Sequence, residues 1–394
     1  MRKFCIFILM TAPLLTACAQ HKDPSQQQAA MTRWNDARSA VLLGLAKDEY
    51  DNQNFEKARQ TVDEAIQMSP NSAVAHVLSG RLYIEQGQLE AAERELATAR
   101  QLDAANAECD YLSGVVYQRW QQPQEALEFY EHASAKAPAE LAYLLARAEM
   151  LVALDQRGQA LALLQQKVTY FEHSGAIRDA VGLILVQQNR LPEAVEMLRR
   201  ASILSPDDLT IREHLGTAMY EEGNYSDAIE VLSPLLKEDG YQDRGDLWAA
   251  LGESQMENGQ PSDAVDSLTT ATDTLPNSAG VWLSLAKAQM QQGSLRLADI
   301  SLRRSLSLDS GNSQAYLLQG YLQLRLEHLP DALEAFRLAS RLDQSDTVSL
   351  CMIGLTLDKL GRAKQAAAFY QRALQLNPHD QMAAQLMARL DSHE

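Results

Sequence analysis

The sequence predicts an all-α fold: a right-handed superhelical solenoid of about ten stacked helix–turn–helix units. Two observations predict it. One pattern of small, large and turn-forming residues returns every 34 residues along most of the chain, the mark of an array whose repeats bury their apolar faces only against neighbours. The composition, 46% hydrophobic but only 6% aromatic, supplies a core from Ala and Leu, which favour helix over strand.

Residues 1–17 read as an export signal and are set outside the fold. Arg2 and Lys3 form a positive head, and the apolar run Phe4 to Leu15 is shorter than the roughly 20 residues of a membrane-spanning helix. Leu15-Thr16-Ala17-Cys18 resembles the lipobox of bacterial lipoproteins. That resemblance implies cleavage before Cys18 and a lipid on its thiol. Ala19 and Gln20 follow, where an Asp would signal inner-membrane retention, so the resemblance implies the outer membrane, with the body in the periplasm. Residues 18–31, polar with Pro24 and Gln26-Gln27-Gln28, are expected as a flexible tether reaching on the order of 20 Å. Cys109 and Cys351 lie in repeats far apart, so no disulfide is expected and each should be a small buried or half-buried residue.

The first helix is expected to start early, at Thr32, with Trp34 on its apolar side. Six repeats then run without a gap from 39–72 to 209–242, the insertion Asp243-Arg244 follows, and four more run from 245–278 to 347–380. Residues 381–394 are expected as a capping helix. Position 8 of the repeat is Gly or Ala, and position 20 is Ala in all ten, from Ala58 to Ala366, so two helices can approach closely. Large residues at position 24, such as Val62, Tyr130, Phe336 and Tyr370, are expected to fill the space between units. Gly or Asn at position 15 in six repeats marks the left-handed end of the first helix, and Pro123, Pro192, Pro261 and Pro330 suit the first turn of the second. The fourth repeat is the weakest, with Lys167 and Glu172 where Ala and Pro are expected. Pro234 and the insertion make 233–245 the expected break between repeats one to six (32–242) and seven to ten (245–380), either a hinge or docking loop or a tolerated surface insertion.

Within single repeats the pattern is specific: Gly114, Tyr117, Ala126, Tyr130, Ala133 and Pro138 in the third, and Trp248, Leu251, Gly252, Ala264, Leu268, Ala271 and Pro276 in the seventh. It resembles the tetratricopeptide repeat. The resemblance implies a groove lined by positions 2, 5, 9, 12 and 13 of each first helix, which takes extended or helical protein segments. Here those positions give Tyr50, Arg81, Tyr111 and Arg119 in the first three repeats. They give Glu213, Tyr220, Asp246, Glu253 and Glu257 in the sixth and seventh, and Tyr321 and Arg325 in the ninth. The acidic middle points to a basic peptide; solvated faces of an acidic chain would read the same way. No repeat pairs Lys at position 5 with Asn at position 9, so the carboxylate clamp of co-chaperone members is absent.

A net charge of −17 repels phosphate backbones and argues against nucleic acid. It favours basic partners, and it also keeps an Ala/Leu solenoid soluble. No H-E-x-x-H, G-x-x-x-x-G-K-[ST], G-x-S-x-G or G-x-G-x-x-G motif occurs and the eight histidines are scattered, so no catalytic residue, cofactor or metal is expected. A lipobox joined to a bare repeat array resembles the TadD-type lipoproteins of tight-adherence (Flp) pilus systems, with PilF-type pilotins as shorter relatives. That layout implies a scaffold for assembling a pilus or secretion machine. The alternative layout is the AlgK-type lipoprotein of exopolysaccharide export, and an enzyme of cell-wall remodelling would need a catalytic constellation. Exposed terminal repeats leave self-association open.

Overall fold

The computed structural model describes residues 24–391, and every element among them is a helix. The signal, Cys18 and the start of the tether lie outside the described residues. The helices form two compact units divided between Gln156 and Arg157. The first unit holds α1 (Pro24–Asp51), α2 (Phe55–Met68), α3 (Ala73–Glu85), α4 (Leu89–Leu102), α5 (Ala107–Arg119), α6 (Pro123–Lys136) and α7 (Leu141–Ala153). The second holds α8 (Arg157–Lys167), α9 (Gly175–Gln187), α10 (Leu191–Leu204), α11 (Leu209–Glu222), α12 (Tyr225–Leu235), α13 (Gly245–Glu257) and α14 (Pro261–Thr274). It continues through α15 (Ala279–Gln292), α16 (Leu295–Leu308), α17 (Ser313–Arg325), α18 (Leu329–Leu342), α19 (Thr347–Lys359), α20 (Ala363–Leu376) and α21 (Gln381–Asp391). Within each unit, successive helices pack as pairs and each pair packs on the next.

The turn inside each repeat is set by one local device. Position 15 has a positive φ in all ten repeats, from Gln53 to Gly361. The N–H that follows returns to the carbonyl of position 11, as from Asn54 to Glu49 at 2.9 Å and from Arg362 to Leu357 at 2.8 Å. This wrap satisfies a carbonyl orphaned at the helix end. Gln53, Gln121, Asp155 and Glu327 adopt it with φ of 59–61°, although they lack the freedom of glycine. The entry to the next repeat is capped as well. Ser72, Asn106, Asp208, Ser278, Asn312 and Asp346 each accept a backbone N–H from the first turn of the helix that follows.

In the repeats that lie within one unit, position 24 lies against position 8 of its own repeat. A Cβ added to Gly114 would stand 2.5 Å from the Tyr130 ring, and one on Gly252 would stand 2.6 Å from Leu268. Position 24 therefore fills the seam between the two helices of its own repeat, and it also clusters with the next repeat, as Val62 does with Leu82 and Phe336 with Met352 and Ile353. The aromatics Tyr130, Phe336 and Tyr370 all sit over Gly, whereas Ala46 and Ala286 pack with the smaller Val62 and Leu302. All ten position-20 alanines are fully buried.

Three further expectations change. Helix α1 begins at Pro24, so 24–31 is helical and not coil: Pro suits a first turn and Gln and Ala propagate it. Trp34 is 62% exposed on α1, beside Met31, Val41 and Leu45, and so is not on a buried side. The stretch 233–245 is no break, because one apolar cluster runs across it from Leu232, Leu235 and Leu236 to Leu247 and Leu251. Pro234 falls in the last turn of α12, so the one backbone hydrogen bond that its missing N–H forfeits lies next to the helix end. The division lies instead within the fourth repeat, the one with Lys167 and Glu172 at its Ala and Pro positions. At the far end, Met382, Ala383 and Leu386 of α21 cover Leu350, Cys351 and Ala373. Cys109 and Cys351 are both buried and free.

Candidate partner-binding face

The first helix of each repeat carries the positions read as groove-lining, and most of those side chains are tied to the neighbouring repeat. In the first unit, Tyr50 donates its hydroxyl to Glu85 Oε1 at 3.0 Å, and the Arg81 guanidinium lies 5.6 Å from the Tyr50 ring. Burial, then the Glu85 carboxylate, pushes the Tyr50 hydroxyl above its ordinary pKa. Arg81 also ion-pairs with Glu108. Tyr111 stacks on Tyr143, ring centres 4.6 Å apart. Arg119 does not face outward as a free contact: its Nη1 donates to the Ile84 carbonyl at 2.6 Å.

Arg325 repeats that geometry in the second unit, donating to the Met290 carbonyl at 2.9 Å. Both arginines occupy position 13 and satisfy a carbonyl near the end of the preceding repeat's first helix. They hold adjacent repeats together, a role that composition and position alone did not reveal.

Glu213, Asp246 and Glu253 of the acidic middle are internally matched, which narrows the basic-peptide expectation to Glu257. Arg244 donates to both oxygens of Glu213, at 2.6 and 3.0 Å, and to Asp246 at 2.8 and 3.0 Å. Arg244 belongs to the two-residue insertion, so the insertion supplies the cation for the acids on either side of it. Hydrogen bonds from Arg244 hold the Asp246 carboxyl below its ordinary range. Glu253 accepts the Tyr220 hydroxyl and, at 2.6 Å, the Ser284 hydroxyl. Burial, followed by that carboxylate, raises the Tyr220 pKa. Next to them His214 pairs with Asp179 at 2.8 Å, and that hydrogen bond raises its pKa.

One part of the face is open. Helices α13, α15 and α17 enclose a depression of about 370 Å³. Met256, Met290, Leu318 and Tyr321 give it apolar walls, and Glu257, Lys287 and Arg325 stand around them. Glu257 is exposed and Lys287 half-buried, and neither has an ion pair among the described residues. Burial raises the Tyr321 pKa, and its ring meets Phe336 edge-on at 5.5 Å. Of the predicted residues, the depression gathers Glu257, Tyr321 and Arg325. Lys287 and Met290 escaped the sequence reading, although they occupy positions 9 and 12 of the eighth repeat. Two methionines on one wall suit a surface that adapts to its ligand. A larger cavity, about 700 Å³, lies beside α1 among Thr32, Ser39, Leu43, Met68 and Val74, where Leu43 and Val74 occupy positions 5 and 2 of the first two repeats. Among the described residues, no three His, Cys, Asp or Glu side chains gather as a metal site.

The chain matches known families over separate stretches. Residues 49–114 match the tetratricopeptide repeat family and residues 207–393 match the cilia and flagella-associated protein 70 C-terminal domain. Anaphase-promoting complex subunit 3 of Schizosaccharomyces pombe is 26% identical over 205 residues, which is 50% of this chain but only 30% of that protein. Among solved structures, the Cut9–Hcn1 hetero-tetramer of APC/C matches with 13% identity over 91% of this chain and 98% of that one, TM-score 0.47. A tetratricopeptide repeat protein from Parabacteroides merdae matches with 15% identity over 64% and 99%, TM-score 0.46. MamA matches with 22% identity over 42% and 95%, TM-score 0.39.

Proposed function

We propose, from the premise that this chain is a tetratricopeptide-repeat protein, that it is a non-enzymatic scaffold binding protein segments on the first-helix face of repeats seven to nine. The depression between α13, α15 and α17 carries this reading: apolar walls, with an unpaired Glu257 and Lys287 on its rim. Elsewhere on the face the predicted side chains are engaged with one another, so a partner gains most where groups are unmatched. The partner we infer presents an aliphatic or aromatic residue for Met256, Met290 and Tyr321, flanked by charges of both signs.

Its setting follows from the N-terminal sequence. The chain is cleaved before Cys18, lipid-modified there and held at the outer membrane with its body in the periplasm. It assists assembly of an envelope machine such as a Flp or type IV-like pilus or a secretion system. In-cell cross-linking of the native chain followed by mass spectrometry tests this. Capture of secretin, pilin or secretion-ATPase subunits supports it. Capture of polysaccharide synthase or porin subunits moves the chain to exopolysaccharide export, and capture of itself alone overturns both settings. Failure of Cys18→Ser to release the chain from the membrane fraction overturns the lipid anchor.

A further inference from the structure

We infer that two copies of this chain pair through the outer faces of α14 and α16. These are the second helices of neighbouring repeats, and their exposed faces carry opposite charge. α14 shows Asp263, Asp266 and Asp273 and carries no base. α16 shows Arg296, Arg303 and Arg304 around Leu297 and Ile300, which are 51% and 62% exposed. The repeat spacing puts Arg296 where Ser262 stands, Ile300 where Asp266 stands and Arg303 where Thr269 stands, so both faces look to one side of the stack. Arg304 reaches the Pro276 carbonyl just past the end of α14, at 3.2 Å, which makes the two helices neighbours.

A chain of net charge −17 that sets three arginines around two exposed aliphatics needs an acidic partner surface, and the matching surface is on its own adjacent repeat. A two-fold axis between the helices lays α16 of one copy antiparallel over α14 of the other. In that register Arg296 and Arg303, two turns apart, meet Asp273 and Asp266 of the second copy, also two turns apart. Ile300 lies between them and meets the methyl of Thr269. The symmetry makes every contact twice. Arg303 already pairs with Asp299 on its own helix at 2.6 Å but stays 72% exposed. A surface pair of that kind is weak and leaves donors for a second carboxylate. The pairing does not depend on which partner occupies the first-helix face.

Sedimentation equilibrium of the full chain at micromolar concentration tests the pairing. The wild-type chain is expected to be a dimer that dissociates as salt is added. Arg296→Asp with Arg303→Asp, and separately Asp266→Arg with Asp273→Arg, are each expected to weaken self-association by about 100-fold or more, because attraction becomes repulsion on both sides of the axis. An equimolar mixture of the two variants restores opposite charges at both contacts and is expected to recover the dimer. Circular dichroism of each variant confirms folding at these exposed positions. A monomeric wild-type chain, a dimer indifferent to salt, a dimer that survives both reversals, or folded variants that fail to recombine would each overturn the proposal.

Discussion

Gly114→Ala probes the seam on which every repeat depends. Its Cβ would stand 2.5–3.0 Å from three atoms of the Tyr130 ring. Tyr130 is only 1% exposed, so the ring has nowhere to retreat, and overpacking of this kind destabilises by about 1–3 kcal/mol. Tyr130→Leu alone loses the ring's contact with Tyr111 at 5.6 Å and the hydroxyl's donation to Gln118 Oε1 at 2.6 Å, together about 2 kcal/mol. The double variant recreates the Ala-over-Leu pairing found at Ala286 and Leu302. Its loss should therefore fall short of the sum of the singles by about 1–2 kcal/mol. Urea unfolding followed by circular dichroism, with the slope checked for constancy, measures all four corners of the cycle. Strict additivity, or a neutral Gly114→Ala, would refute the claim that these two residues share one seam.

Other expectations follow from single features. Glu327 sits at φ 61°, where a side chain costs about 1–2 kcal/mol and glycine's unfolded-state entropy returns part of the gain, so Glu327→Gly should stabilise by about 0.5–1 kcal/mol in urea unfolding. The folded pKa of Asp246 lies below its unfolded value, chiefly through Arg244. Its contribution is therefore complete above the ordinary carboxylate pKa and is lost as pH falls through the lower folded value. Arg244→Ala should flatten the stability profile in that acidic window and leave Glu213 and Asp246 unmatched, strengthening binding of basic peptides measured by fluorescence anisotropy. Burial pushes the Cys109 and Cys351 thiols up to about 11, so at pH 8 only about one in a thousand of either is thiolate. Both should react with a disulfide reagent only at the rate of unfolding, and a fast stoichiometric reaction would contradict their burial.

The fold was legible because one period of 34 residues carries a small residue, a large residue and a turn at fixed offsets. What escaped was the choice of neighbour. Spacing places Tyr130 on a helix, but only the close approach at Gly114 shows that it fills its own repeat. Glycine marked the left-handed turn in some repeats, whereas Gln53 and Glu327 adopt it because the hydrogen bond from position 16 to position 11 imposes it. The candidate face was legible as positions and not as interactions. Tyr50, Arg81, Glu213 and Glu253 are where helical geometry puts them, yet each is matched by a residue outside its own repeat, about 30 positions away. The insertion read as a loop, because nothing local says that Arg244 reaches Glu213 on α11. The depression at Met256 and Met290 needs three first helices side by side, which no single repeat displays.

A photoreactive amino acid placed in living cells at Gln291, on the rim of the α13–α15–α17 depression, with a second placed at Gln365 in α20 as the control, tests the central claim most directly. The account predicts a discrete protein adduct from Gln291 alone, lost when Met290→Asp spoils the apolar wall. The absence of any protein adduct from Gln291, or the same adduct from both positions, would contradict it.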